Sequence, residues 1–377
     1  MRKVIILSKT GKLTIASMFS GCGGMDLGFK NAGFHIVWAN DNDKSAVTTY
    51  QRNIGQINNG DITEIDLNNI PKHNILLAGF PCQAYSNAGN RNGVNDKRGR
   101  LYQYTLNAIK IHKPHAIVFE NVRGILSIKT KNGKDLISEI CDILESKDFG
   151  YKTNWKLLNA SNYEVPQNRI RVFVVAIRND LKTEYIFPEL IPKSENLKLR
   201  NVLNIQKNIP NQEFKKFSQE INGLLHFINE GGSWKDIPYE KLPSRLKKIR
   251  DEIKKYRSPN FYRRFSRDEI NGTITATATP ENCGIIHPVF NRRYTLRECA
   301  RIQSFDDSFI FETNSISAGY RIIGNAVPPK LAFHIAKRLK ELLLNPKLFK
   351  MKYGLYDTSS RMNKVESGRK KKQIAIF

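Results

Sequence analysis

The sequence predicts an α/β fold: a doubly wound, mostly parallel sheet joined to a second, smaller, loop-rich domain. Three observations predict it. Short apolar runs alternate with helix-length amphipathic stretches through the amino-terminal half, as strands joined by helical crossovers do. Several of those runs end in Gly, Asp, Glu or Cys, the residue types an open α/β sheet displays at the carboxyl ends of its strands. Crowded charges and the breakers Gly231, Gly232, Pro238, Pro243 and Pro259 then mark a change of character between 182 and 288.

Taken in order, strands are expected at 13–18, 35–39, 75–78, 116–119 and 172–177, each a short run rich in Ile, Val, Leu or Ala. Helices are expected at 25–32, 44–52, 101–112 and 134–146. The last stops ahead of Gly150, a helix stop signal. A final helix covers about 330–344. The run Thr273-Ile274-Thr275-Ala276-Thr277-Ala278-Thr279 reads as a β-strand for half its residues, since alternate side chains must face away. No internal repeat is evident.

The 377 residues suggest two or three domains, and a hydrophobic fraction of 40% supplies a sizeable core. Lys and Arg number 61 against 35 Asp and Glu, a net charge of +26. That imbalance favours a polyanionic partner, with nucleic acid the leading candidate. No apolar run approaches the length of a transmembrane helix. The run Val4-Ile5-Ile6-Leu7 is too short for a signal-peptide core, so a cytoplasmic protein is expected. Five cysteines, at 22, 82, 141, 283 and 299, include no Cys-x-x-Cys pair, which argues against a disulfide framework and a zinc site.

Cys82 stands in Gly79-Phe80-Pro81-Cys82-Gln83, directly after the strand at 75–78. A thiol there fits a nucleophile, and it equally fits a buried small hydrophobe. Phe19-Ser20-Gly21-Cys22-Gly23-Gly24 ends the first strand and opens a helix. Its glycines let backbone approach a ligand closely, or simply make a tight turn. Asp41 follows the second strand, where a carboxylate accepts two hydrogen bonds from a ribose diol; Asp61 lies in Gly60-Asp61-Ile62-Thr63. Glu120, in Phe119-Glu120-Asn121-Val122-Arg123-Gly124, ends a buried strand and suits a proton donor of raised pKa, or else an ion pair with Arg123. Arg169 and Arg171 enter a strand with both side chains on one face, an arrangement suited to phosphate or a base edge.

Together with Gly324-Asn325-Ala326-Val327-Pro328-Pro329 and the block from Arg292 to Phe305, these motifs run in an order that resembles the DNA (cytosine-5)-methyltransferases of the prokaryotic, restriction-modification type. The resemblance covers most of the chain. It implies a Rossmann-like S-adenosylmethionine-dependent fold, with 1–185 plus 320–377 as the catalytic and cofactor domain and 186–319 as the target-recognition domain. It implies S-adenosyl-L-methionine, leaving as S-adenosyl-L-homocysteine, across Phe19, Ser20, Gly21, Cys22, Gly23 and Gly24. Its ribose would lie on Asp41 and its adenine near Asp61 and Ile62, with Pro81, Leu101, Asn325 and Val327 completing the pocket. The family usually has Trp after the acid; here Asn42 stands there, which leaves adenine stacking open.

The chemistry implied is methyl transfer to carbon 5 of a flipped-out cytosine in a short duplex sequence, through a covalent Cys82 adduct and without a metal. Glu120 engages ring nitrogen 3, Arg169 and Arg171 hold the base carbonyl and flanking phosphates, and Asn121 orients the cysteine loop. Double-stranded DNA would meet Gln83, Ser86, Arg98, Arg263, Arg264, Thr275 and Thr277. The resemblance suggests a monomer and allows a companion restriction endonuclease. Two other functions share these features: a transfer RNA cytosine-5 methyltransferase, whose Cys-Phe-Thr signature is not visible here, and an inactive DNA-binding regulator, against which Cys82 and Glu120 speak.

Overall fold

A computed structural model of the chain describes residues 11–81, 101–130, 132–204, 208–252 and 260–353. The first half runs β1 (Thr14–Met18), α1 (Gly24–Asn31), β2 (His35–Asp41), α2 (Lys44–Asn53), β3 (Asn58–Asn59), β4 (Ile75–Ala78), α3 (Leu101–His112), β5 (Ala116–Val122), α4 (Leu136–Glu145), β6 (Tyr151–Asn159) and β7 (Ile170–Arg178). The seven strands form one sheet in the order β3-β2-β1-β4-β5-β7-β6. Six point the same way, β1–β5 as parallel neighbours, and β7 runs antiparallel between β5 and β6.

The central strands are apolar throughout because both faces are covered. Ile75, Leu77, Val118, Phe173 and Val175 pack towards Phe29 of α1 and Leu331, Ile335 and Leu339 further along the chain. Leu76, Ala78, Ile117, Phe119, Val172 and Val174 pack towards Leu106 and Ile109 of α3 and Ile137 and Ile140 of α4. Strand β6, absent from the sequence reading, carries Lys152, Asn154 and Lys156 among its apolar residues. It tolerates them because it lies at the sheet edge.

Beyond the sheet come α5 (Leu199–Val202), α6 (Gln219–Asn222), α7 (Ser244–Glu252), α8 (Leu296–Ile302), α9 (Ile316–Asn325), α10 (Pro329–Leu344) and α11 (Pro346–Tyr353). A small separate core gathers Leu225, Trp234, Ile237, Leu246, Phe261 and Tyr262 from turns and short helices. A further cluster unites Leu296, Ile302, Phe305 and Ile323 with Cys22 and Ala46 of the first half. Helix α10 returns against α1. The threonine run is no strand: Ala278 takes φ 42°, and Asn282 bonds the hydroxyls of Thr275 at 2.9 Å and Thr277 at 2.6 Å. A left-handed residue and a side-chain tie pull that segment into turns.

A polar seam joins α2 to the extended segment 310–314. Asn53 donates to the Ile310 carbonyl and accepts from its N–H, both at 2.8 Å. Thr49 repeats this exchange with Glu312 at 3.0 and 3.1 Å, and Ser45 reaches Asn314 at 3.3 Å. The spacing explains the match: four helical residues rise about 6 Å and two extended residues about 6.7 Å. One helix face thus does the work of a neighbouring strand.

Candidate active site

Strand order reverses between β1 and β4, which place their carboxyl ends side by side. In an open α/β sheet that reversal opens a crevice. Here a cavity of about 370 Å³ lies in it, lined by Phe19, Ser20, Gly21 and Cys22 after β1, Asp41, Asn42 and Asp43 after β2, and Gly79, Phe80 and Pro81 after β4. Glu120, Asn121 and Val122 of β5 and Ile322, Asn325, Ala326 and Val327 complete it. The volume falls in the usual range for small-molecule and cofactor sites, roughly 300–1,000 Å³.

The loop after β1 is shaped by backbone. Phe19 takes φ 56° and Gly21 φ 57°, and a bulky residue in the left-handed region stores about 1 kcal/mol or more of strain. Gly21 N–H donates to Asp41 Oδ2 at 2.8 Å and Asp43 N–H to Oδ1 at 2.9 Å, so Asp41 ties the loop to the start of α2. Burial pushes its pKa up. Gly23 and Gly24 lie off the cavity wall, and their value is in packing: a β-carbon on Gly24 would run into the Val327 carbonyl, and one on Gly23 into Ile54.

Glu120 is buried, and its Oε1 lies 3.1 Å from Arg171 Nε. Its partner is therefore Arg171, not Arg123. Burial raises the Glu120 pKa, opposed by the positive charges of Arg171 and Arg169. Asn121 donates to the Phe80 carbonyl at 2.9 Å, fixing the backbone two residues ahead of Cys82.

Arg169 is 1% exposed and spends its guanidinium on three carbonyls: Ile274 at 2.8 Å, Gly324 at 2.7 Å and Ala326 at 3.1 Å. Gln167 accepts from Ile274 N–H at 3.0 Å and donates to Gln303 Oε1 at 3.0 Å, and Gln303 donates to Ile323 O at 2.8 Å. The start of β7 thus bolts the 271–275 segment to the turn that carries Asn325 and Val327.

Other sequence candidates lie apart from the cavity wall. Asp61 is exposed and caps a turn through Thr63 N–H at 2.9 Å, Ile62 is buried, and Leu101 packs on the α3 side of the sheet. Arg264 is buried and bonds Leu225 O at 2.8 Å and His287 O at 2.9 Å. Arg263 pairs with Glu269 at 2.6 Å. Cys82, Gln83, Ser86 and Arg98 lie outside the described residues. Outside the quoted motifs, the sequence reading missed Met25, Asp43, Ala46 and Ile322 on the wall. Of these only Asp43 carried a signal, as a helix N-cap accepting from Ser45 N–H. Among the described residues no cluster of His, Cys, Asp or Glu could hold a metal ion, and no helix is long and apolar enough to cross a membrane.

Comparison with known proteins accords with this geometry. The family model of C-5 cytosine-specific DNA methylase matches residues 13–341. The type II methyltransferase M.NgoFVII of Neisseria gonorrhoeae is 36% identical over 96% of this chain and 97% of its own length. M.FnuDI of Fusobacterium nucleatum is 34% identical over 90% and 97%. Among solved structures, the Entamoeba histolytica methyltransferase EhMeth superposes with a TM-score of 0.60 at 19% identity, covering 89% of this chain and 98% of that one. S. pombe Dnmt2 methyltransferase gives 0.56 at 21%, covering 89% and 99%. The structural likenesses show the fold; with the match over most of its length, the chain belongs to the C-5 cytosine-specific DNA methylase family.

Proposed function

We propose that Cys82 and Glu120 carry this chain's methyl transfer to carbon 5 of cytosine and that the cavity lined by Glu120 holds S-adenosylmethionine. The observation that carries the reading is one hollow shared by the loop after β1, Asp41, Pro81, Glu120 and the distant Asn325–Val327 turn. The fit to the cofactor is chemical: strained, close-approaching backbone at 19–21, a carboxylate on the wall for a diol, and room for a nucleoside-sized ligand. Bound there, S-adenosylmethionine supplies an electrophilic methyl group.

Carbon 5 of cytosine is too weak a nucleophile to accept a methyl unaided. The Cys82 thiolate adds to carbon 6, while Glu120 holds a proton at ring nitrogen 3. Electron density moves to carbon 5, which becomes enamine-like. Carbon 5 takes the methyl group, and loss of its proton with departure of the Cys82 sulfur as thiolate then restores the ring. The upward push that burial gives the Glu120 pKa supports this role, since it favours the protonated carboxyl that the role needs. Arg171 holds Glu120 in place, and Asn121 anchors the strand leading to the cysteine.

A cytosine stacked in a duplex cannot present carbon 6 to a thiol, so the base is extruded at a cost of a few kcal/mol. The net charge of +26 supports the required phosphate contacts. In this reading 186–319 recognises a short duplex site, the enzyme acts in the cytoplasm as a monomer, and a restriction endonuclease shares its target. Bisulfite sequencing of DNA from cells expressing the chain is the test. Protected cytosines at one short site support the reading; methylation confined to RNA, or none, overturns it.

A further inference from the structure

Beneath the cofactor loop lies a charge without a counter-ion. Asp26, in the first turn of α1, is fully buried. Its carboxylate accepts from Ser17 Oγ and from Tyr50 OH, each at 2.7 Å. Among the described residues no cation pairs with it, and the charged group that acts on it is Asp41, another acid. Asp41 likewise has no cation partner among the described residues, whereas two other acids of the cavity wall do. Asp43 is clamped by Arg321 through bonds of 2.9 and 3.0 Å, and Glu120 faces Arg171.

A buried carboxylate held only by hydroxyls is costly, and burial pushes this one up to about 6. Asn in the same place would satisfy one hydroxyl without the charge. The cavity nevertheless communicates with it: Ser20, on the cavity wall, donates to Ser17 Oγ at 3.0 Å, and Ser17 in turn donates to Asp26. No more than two hydrogen bonds separate wall from carboxylate, since the Ser20 side chain also acts on Asp26, and screening by salt is weak for buried groups. The methyl donor and the spent product differ by one formal charge, for the donor is a sulfonium and the product a neutral thioether.

We propose that Asp26 is a specificity-determining residue that makes this cavity prefer the cationic sulfonium donor to the neutral thioether product. The carboxylate acts at a distance, through the field it casts on the wall at Ser20, with Ser17 and Tyr50 fixing where the charge sits. The buried carboxylate is the source of the preference, since a cation in the cavity offsets part of what its burial costs. The proposal rests on the cofactor reading of the cavity.

The test is calorimetric titration of the full-length protein with S-adenosylmethionine, S-adenosylhomocysteine and an isosteric analogue bearing an amine in place of the sulfonium. In Asp26→Asn the donor-to-product affinity ratio should fall roughly tenfold, about 1.4 kcal/mol. The amine analogue should weaken with the donor, and product affinity should hold within about twofold. The ligand-free variant should melt no lower than the parent at pH 7.5. Tyr50→Phe, which removes a hydrogen bond that favours the ionised carboxylate, should lower the ratio only part of the way. Equal weakening of all three ligands in Asp26→Asn, or an unchanged ratio, overturns the proposal and leaves Asp26 a scaffold residue. Failure of the parent protein to bind any of the three sinks the cofactor reading and this proposal with it.

Discussion

Glu120 Oε1 and Arg171 Nε meet at 3.1 Å across the β5–β7 ladder, where Val122 lies opposite Arg171 and Phe173 opposite Glu120. The pair exists because β7 runs antiparallel. A parallel neighbour would have carried its arginine in by its own amino end, away from the carboxyl end of β5.

Replacing Glu120 by Gln removes the proton held at the base, and the rate of methyl transfer should drop by about 10²–10⁴. Cofactor affinity, read by calorimetry, should change little. A variant with full activity would remove Glu120 from the mechanism.

Arg171→Met takes away the nearest stabiliser of the Glu120 carboxylate. The Glu120 pKa, already raised by burial, should rise further. Activity that needs the protonated acid is lost as pH climbs through that pKa, so the alkaline limb of kcat/KM should move to higher pH. Stability should fall by roughly 3 kcal/mol, as when one partner of a buried pair is removed.

Cys82→Ala should abolish methyl transfer while leaving DNA binding in a gel-shift assay. Duplex carrying 5-fluorocytosine should become covalently attached to the parent protein, since fluorine cannot leave as a proton does, and should not attach to the variant. Undiminished transfer by Cys82→Ala would disprove the covalent route.

Arg169→Met should act on the fold before it acts on catalysis. It strands three buried carbonyls, each costing about 1–3 kcal/mol when unsatisfied. Urea unfolding should show a loss of several kcal/mol. A variant of normal stability would show that the bolt between 271–275 and 324–326 contributes little.

Asp26 should give stability an unusual pH slope. Its carboxyl is raised from 3.8 to about 6 in the folded chain, so the folded state binds more protons than the unfolded state between those values. Stability from this group is full below pH 3.8 and lost as pH rises through about 6, by roughly 3 kcal/mol. Asp26→Asn should flatten that interval in melts at stepped pH.

Much of the sheet was legible because its strands are buried on both faces and read as unbroken apolar runs; 75–78 and 101–112 agree with β4 and α3 to the residue. Strand β6 was not, since Lys152 and Lys156 break its pattern and an edge position forgives them. The loop after β1, Asp41, Pro81 and Glu120 could be read as strand-end chemistry. Met25, Ala46 and Ile322 could not, being apolar residues whose place on the wall depends on how distant elements meet. Arg169 and Arg264 misled for the opposite reason: an arginine looks like a phosphate ligand until its carbonyl partners are known.

The stitching of α2 to 310–314 bears on how this enzyme fails. That seam hangs on amide and hydroxyl groups, for which urea competes directly, whereas the sheet beside it is sealed by hydrocarbon. The α2 part of the wall, at Asp43 and Ala46, should therefore loosen from 310–314 at denaturant concentrations that leave the strands intact. Inactivation would then precede unfolding, and added cofactor would narrow the gap between the two.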